Sequence, residues 1–364
     1  MRERVRVGII GSGFVADIHA HAFGKFVPDA EVVAVASPTP GKAARFARER
    51  GILHDFEDYH DLLALDQIDL ITIAVPNDLH CQITIDAAHA GKHVVCEKPL
   101  CRTLEEADRM IAACRERGVL LLYAEELCFA PKYVRAKQLA DEGALGNVFL
   151  VKQSEEHDGP HEPWFWDVDR SGGGVLMDMG CHSVEYARWI FGKPEVKSVS
   201  ATLGTYVHGE KTVGEDHSLC IVEYAGGRIA LAENSWAKPG GVDDRCEIYG
   251  SKGSTRADLL RGNALVTYSD RGYGYAVEKA ATTRGWTFTT FEEAWNYGFP
   301  QEMTHFVRCV RGEEEPIETG EDGREVLKIL LAAYQSAGEG RKITWPYDPP
   351  KVDKPIDLWR KRAS

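Results

Sequence analysis

The 364-residue chain has no run of about 18 consecutive apolar residues, which excludes an ordinary membrane-spanning helix. It has no Cys-x-x-Cys pair. Its nine cysteines are odd in number and scattered, so neither a zinc knuckle, a redox dithiol nor a disulfide framework is signalled. Reduced, structural thiols in a cytoplasmic protein are the expectation. Positive charge is also short: 43 Lys and Arg against 56 Asp and Glu leave a net −13, which argues against a nucleic-acid surface. The charged start, residues 1–6, runs straight into a strand pattern and leaves no room for a signal peptide. No internal repeat or low-complexity linker interrupts the chain. What remains is ordinary for a folded protein, with 44% hydrophobic and 27% charged residues. At about 150 residues per domain, the length gives two domains.

Residues 5–10 read as a buried strand, with Val5, Val7, Ile9 and Ile10 apolar. Gly11-Ser12-Gly13-Phe14-Val15-Ala16 follows, and Ala20, Ala22 and Phe23 continue with helical character. This is the dinucleotide fingerprint with alanine in the third glycine position. Gly11 permits the tight turn, Gly13 lets the backbone approach a pyrophosphate, and Ala16 lets the helix sit close to the strand. Free amides at the helix start then meet the anion.

A second strand at 31–36 ends where an NAD enzyme usually carries an acid for the ribose hydroxyls, but this chain has Ser37-Pro38-Thr39-Pro40. Lys42 and Arg45 just beyond suit a 2′-phosphate, or are exposed helix cations. The choice between NAD and NADP therefore stays open, with NAD slightly ahead.

Strand and helix continue to alternate. Helices are expected at 41–50, 58–65, 83–90 and 104–117, the last opened by a Thr103/Glu106 capping box. Residues 70–75 form a strand ending in Pro76-Asn77-Asp78-Leu79-His80. Residues 93–97 run into Glu97-Lys98-Pro99, and 119–123 close the series as its last strand. Such alternation demands a doubly wound parallel sheet, a Rossmann arrangement, with ligands beyond the carboxyl ends of its strands. Gly11, Pro76 and Glu97-Lys98-Pro99 all fall on that edge.

These residues resemble the Gfo/Idh/MocA family of nicotinamide-dependent oxidoreductases. The fingerprint, the Val75 to His80 turn and Gly91 to Pro99 carry the likeness, as does Ser171-Gly172-Gly173-Gly174-Val175-Leu176-Met177-Asp178-Met179-Gly180-Cys181-His182. Gln301 to Phe306 and Thr319 to Gly323 resemble the family's C-terminal helices. The resemblance implies a Rossmann domain, placed here at 1–123, and a C-terminal α/β domain at 124–364 built on a large, mostly antiparallel sheet. It implies that this sheet's open face forms subunit contacts in a homo-oligomer, be it dimer, tetramer or larger. Strand-like patterns at 148–154, 196–206, 218–224, 228–236 and 244–249, with Gly226-Gly227 as a hairpin turn, are consistent with it.

The expected cofactor-binding residues are Gly11, Gly13, Phe14, Val15, Ser37, Lys42, Pro76, Asn77, His80, Glu97 and Lys98. By resemblance, Lys98, Asp178 and His182 are the catalytic group. A lysine withdrawn from water can exchange protons. Asp178 and His182 are four residues apart and share one face of a helix. His182 is given the substrate proton, Lys98 the polarising role and Asp178 the orienting one, with Lys98 and His182 interchangeable.

Expected substrate-binding residues are Glu126, His157, Trp164, Trp166, Asp178 and His182. Glu126 stands where many relatives carry Asn. Acids and histidines at 155–162 suit hydroxyl groups, and the tryptophans either cover a sugar ring or plug the packing. Local acids Glu126, Glu155 and Glu156 favour a neutral hydroxylated substrate over a sugar acid. No metal motif is matched and hydride chemistry needs none. The leading function is oxidation of a secondary ring hydroxyl of a sugar, glycoside or cyclitol, for example to a 3-keto sugar. The alternatives are a glycosidase working through transient C3 oxidation, and a non-catalytic nucleotide- and sugar-sensing regulator.

Overall fold

A computed structural model of the chain describes residues 4–260, 264–269, 282, 284–290 and 292–360. Contacts divide them into two units: Met1–Glu126 with Phe299–Leu327, and Leu127–Gly298 with Lys328–Ser364.

The first unit alternates β1 (Val5–Ile10), α1 (Phe14–Phe26), β2 (Ala30–Ala36), α2 (Lys42–Arg50), β3 (His54–Phe56), α3 (Tyr59–Leu63), β4 (Leu70–Ile73), α4 (His80–His89), β5 (His93–Glu97), α5 (Leu104–Arg117) and β6 (Leu121–Ala124). The sheet is the expected parallel, doubly wound one, in the order β3-β2-β1-β4-β5-β6. Its central strands are apolar on both faces because helices cover both. Val7, Ile9, Ile71, Ile73, Val94 and Val95 are all completely buried. The expected capping box opens α5, with Glu106 N donating to Thr103 Oγ1 and Thr103 N donating to Glu106 Oε2. The strand order reverses between β1 and β4, and this is the switch point at which such sheets bind ligands.

The second unit contains α6 (Pro131–Asp141), β7 (Val148–Glu156), α7 (Val168–Ser171), α8 (Val175–Asp178), α9 (Gly180–Ile190), β8 (Val196–Gly204), β9 (His217–Tyr224), β10 (Arg228–Ser235), β11 (Asp243–Gly250), β12 (Gly253–Asp258), a β13 (Ala264–Ser269) and β14 (Gly285–Thr290) ribbon, and β15 (Ile343–Thr344). Its seven-stranded sheet runs β12-β11-β7-β10-β9-β8-β15. Neighbours are antiparallel except β7 and β10, which are parallel. That exception brings the carboxyl ends of β7 and β10 to the same edge. Residues alternate across the sheet: Cys220, Val222, Ala230 and Ala232 are buried, while Leu219, Ile221 and Ile229 face outward.

One sequence expectation changes. Asp178 and His182 do not lie on one continuous helix, because α8 ends at Asp178 and α9 begins at Gly180. Met179 is the junction, and its carbonyl accepts both from Ser183 N and from Asn234 Nδ2, each at 3.3 Å.

Candidate active site

In the first unit the strand ends build a backbone cradle. Gly11 has φ +120°, and a Cβ there would lie 2.0 Å from the Ala74 carbonyl oxygen, so only glycine fits where β1 passes β4. Gly13 precedes α1 without any side chain capping the helix, and Ala16 is completely buried beneath it. Uncapped amides at a closely packed helix start fit a pyrophosphate. Ser12 Oγ donates to Ser37 Oγ at 2.8 Å, joining the ends of β1 and β2. Phe14 and Val15 open α1, and Lys42 opens α2.

The Pro76 and Pro99 turns are held together by His80, which is completely buried. Its Nε2 lies 2.9 Å from the Val75 carbonyl and its Nδ1 3.0 Å from that of Pro99. Burial pushes this imidazole below its usual range, against the pull of the carbonyls and Glu97. The ring thus sits between the two turns, with the one N–H of its neutral form available to donate to one of these carbonyls. Asn77 beside it is also buried.

Glu97 is likewise buried on this edge. His19 Nε2 of α1 lies 2.9 Å from Glu97 Oε1, and Lys98 N donates to Glu97 Oε2 at 3.2 Å. The carboxylate thus fixes the start of the turn that carries Lys98, which stays partly exposed. Glu302, in the helix Phe299–Val310, is completely buried in the same unit. Burial first, then the carboxylates of Glu126 and Glu97, push its carboxyl well above the usual range. Glu126 is buried as well. Sequence reasoning named neither His19 nor Glu302 as a site residue, although Glu302 lies within the Gln301 to Phe306 stretch that carries part of the resemblance.

In the second unit, Asp178 and His182 are both buried. Trp236 Nε1, just past β10, donates to Asp178 Oδ2 at 3.2 Å and fixes that carboxylate. Asn234 Nδ2 also donates to Ser183 Oγ at 2.7 Å, tying α9 to β10. His157 is buried at the end of β7, where its N donates to the Ser235 carbonyl at 2.9 Å. The parallel β7–β10 pair therefore delivers His157 and Trp236 to one edge.

Trp166 packs edge-on against Trp236 at 5.4 Å between centroids, with the His208 ring at 5.0 Å and Lys211 Nζ 5.2 Å from its centre. Trp164 stacks on Phe165 at 3.8 Å. Glu156, in contact with Lys238 at 2.9 Å, has its carboxyl raised chiefly by burial.

The Ser171 to Gly174 stretch is held from a distance. Glu215 Oε1 accepts from Gly174 N and Leu176 N, both at 3.0 Å, and from Tyr334 Oη at 2.6 Å. Burial pushes this carboxyl up to about 7, opposed by those hydrogen bonds. A Cβ at Gly174 would lie 1.9 Å from the Glu215 carbonyl oxygen, which explains the glycine. Glu215, Trp236 and Tyr334 were also missed from sequence, because no local spacing connects them to the motif they support.

A Rossmann sheet with a backbone cradle at its switch point defines the class: a nucleotide-binding scaffold. Residues 5–125 match the oxidoreductase family with an NAD-binding Rossmann fold, and residues 133–256 match the GFO/IDH/MocA C-terminal domain. The chain is 30% identical to the scyllo-inositol 2-dehydrogenase (NAD(+)) of Bacillus subtilis, covering 94% of this chain and 97% of that one. It is 32% identical to the levoglucosan dehydrogenase of Pseudarthrobacter phenanthrenivorans over 72% of this chain and 76% of that one. Among solved structures, it is similar to GenD2 from gentamicin A biosynthesis in complex with NAD, with TM-score 0.88, 32% identity, and 95% and 98% of the two chains covered. The chain belongs to the Gfo/Idh/MocA family of oxidoreductases, the family of NAD(P)-dependent sugar and cyclitol dehydrogenases.

Proposed function

We propose that this protein oxidises a secondary ring hydroxyl of a neutral sugar, glycoside or cyclitol, with Lys98, Asp178 and His182 as its catalytic group. The observation that carries the reading is the preparation of these positions. Glu97 anchors the Lys98 turn through its backbone amide, and Trp236 holds the Asp178 carboxylate beside the buried His182 segment. Such rigid support is what proton transfer at a hydroxyl requires.

Bound nicotinamide supplies the hydride acceptor. His182 takes the hydroxyl proton, Lys98 polarises the same oxygen, and Asp178 orients the pair; exchange of the first two roles leaves the chemistry unchanged. The Gly11 to Val15 turn holds the dinucleotide by backbone, and the Pro76-Asn77 turn flanks it. Glu126, His157 and Trp164 meet the hydroxyl-rich substrate, and Trp166 backs them through Trp236. Buried acids and inositol- and sugar-oxidising relatives both support a neutral polyol.

Lys98→Met and His182→Asn each abolish turnover on a panel of sugars and cyclitols while NADH binding, read by its fluorescence, survives. Full activity in either variant refutes the assignment. We further propose that the outward face bearing Leu219, Ile221 and Ile229 joins copies of this chain into an oligomer.

A further inference from the structure

The end of β2 lacks the acid that NAD enzymes commonly aim at the adenosine ribose. Ser37 stands there instead, buried, accepting a hydrogen bond from Ser12 Oγ. That position contributes a hydroxyl and no charge.

A carboxylate reaches the same turn from another strand. β3 lies beside β2 in parallel register, with Phe56 opposite Ala36, and Ser37 N donates to the Phe56 carbonyl at 3.0 Å. The next residue, Glu57, is thereby delivered to the turn between β2 and α2, where its Oε1 accepts from Gly41 N at 3.3 Å. Gly41 is the residue on which α2 begins, and the first turn of α2 carries no acid of its own. The cations nearby are Lys42, which opens α2, and Arg45, which lies 3.8 Å from Glu49.

We propose that Glu57 determines nucleotide specificity: it supplies from β3 the negative charge missing at position 37, and so selects NAD(H) against NADP(H). This rests on the reading that the carboxyl edge of the first unit holds the dinucleotide.

A 2′-phosphate seeks amides and cations at the start of the helix after β2. In this chain the Gly41 amide is already bonded to a carboxylate, so an incoming phosphate finds a donor taken and a like charge beside it. A ribose with a free 2′-hydroxyl meets no such repulsion and can itself donate to a carboxylate. Lys42 acts in the opposite direction, and Glu57 offsets it. Glu57 is exposed, so its discrimination is moderate and sensitive to salt.

The test is direct titration of the full chain with NADH and with NADPH, without substrate, following nucleotide fluorescence. Glu57→Gln keeps an oxygen for the Gly41 amide while removing the charge. It is expected to tighten NADPH binding about five- to tenfold and to change NADH binding less than about twofold. Glu57→Arg is expected to reverse the preference. Added salt should shrink the discrimination of the wild type and leave that of Glu57→Gln nearly flat. An unmoved NADH/NADPH ratio in Glu57→Gln overturns the role of Glu57. So does a wild type that prefers NADPH and loses that preference in Lys42→Ala. A wild type that binds neither nucleotide refutes the dinucleotide site itself, and the proposal with it.

Discussion

The two units support their functional segments by different means. In the first, backbone does most of the work: a glycine pressed against the Ala74 carbonyl, amides at the start of α1 with no side-chain cap, and a buried histidine seated between two carbonyls. In the second, side chains hold the segment: Glu215 takes three donors on one oxygen, and Trp236 and Asn234 reach from β10 to the α8–α9 region. A backbone site tolerates variation in the surrounding side chains, whereas a side-chain network fails when any one member is removed.

The largest effect expected from this contrast comes from adding one methyl group in each unit. Gly11→Ala and Gly174→Ala each drive a Cβ to about 2 Å from a carbonyl oxygen, which main chain cannot cheaply relieve. Each should lose about 3 kcal/mol or more of stability. NADH binding should disappear in Gly11→Ala and persist in whatever Gly174→Ala remains folded. Loss of NADH binding in folded Gly174→Ala would break the division of labour between the units.

A smaller, pH-dependent effect belongs to Glu215. Its carboxyl is raised from 4.5 to about 7 in the fold, so the folded state holds that proton more tightly than the unfolded chain. The sign follows: the group costs nothing below pH 4.5, the cost grows as pH rises, and it saturates above 7. Glu215→Gln, which keeps the accepting oxygen, should match the wild type at low pH. Above pH 7 it should exceed the wild type by at most about 3 kcal/mol in denaturant melts. Melting curves that stay parallel across that range would show that Glu215 is ionised in the fold.

The smallest effect sharpens the role of Trp236. Trp236→Phe removes the donor to Asp178 and also leaves a smaller ring in a fully buried position. Turnover should fall about tenfold, the cost of one buried hydrogen bond, beside a modest fall in Tm from the smaller ring. A fall in Tm with turnover intact would make Trp236 a packing residue only.

Much of the first unit was legible from sequence because its signals are local. The fingerprint, the capping box and the strand–helix alternation each occupy a few consecutive residues. β3 escaped, being only three residues long with two of them polar, yet it carries the chain to Glu57. In the second unit the Gly-rich motif and the strands were readable. The groups that hold the motif were not, since Glu215 lies 41 residues from Gly174 and Tyr334 119 residues from Glu215. The break at Met179 was equally hidden, because an Asp-x-x-x-His spacing looks the same in one helix or in two. Phe299–Leu327, which groups with the first unit, is marked by no change of composition.

All nine cysteines are buried as free thiols. The folded chain should therefore be inert to a maleimide or a disulfide reagent, and each thiol becomes reactive only as its surroundings open. The nine are spread through both units, so the order in which they label during mild denaturation gives a residue-by-residue chart of local opening. One cysteine introduced on the surface would take a dye selectively, with no need to strip the native set.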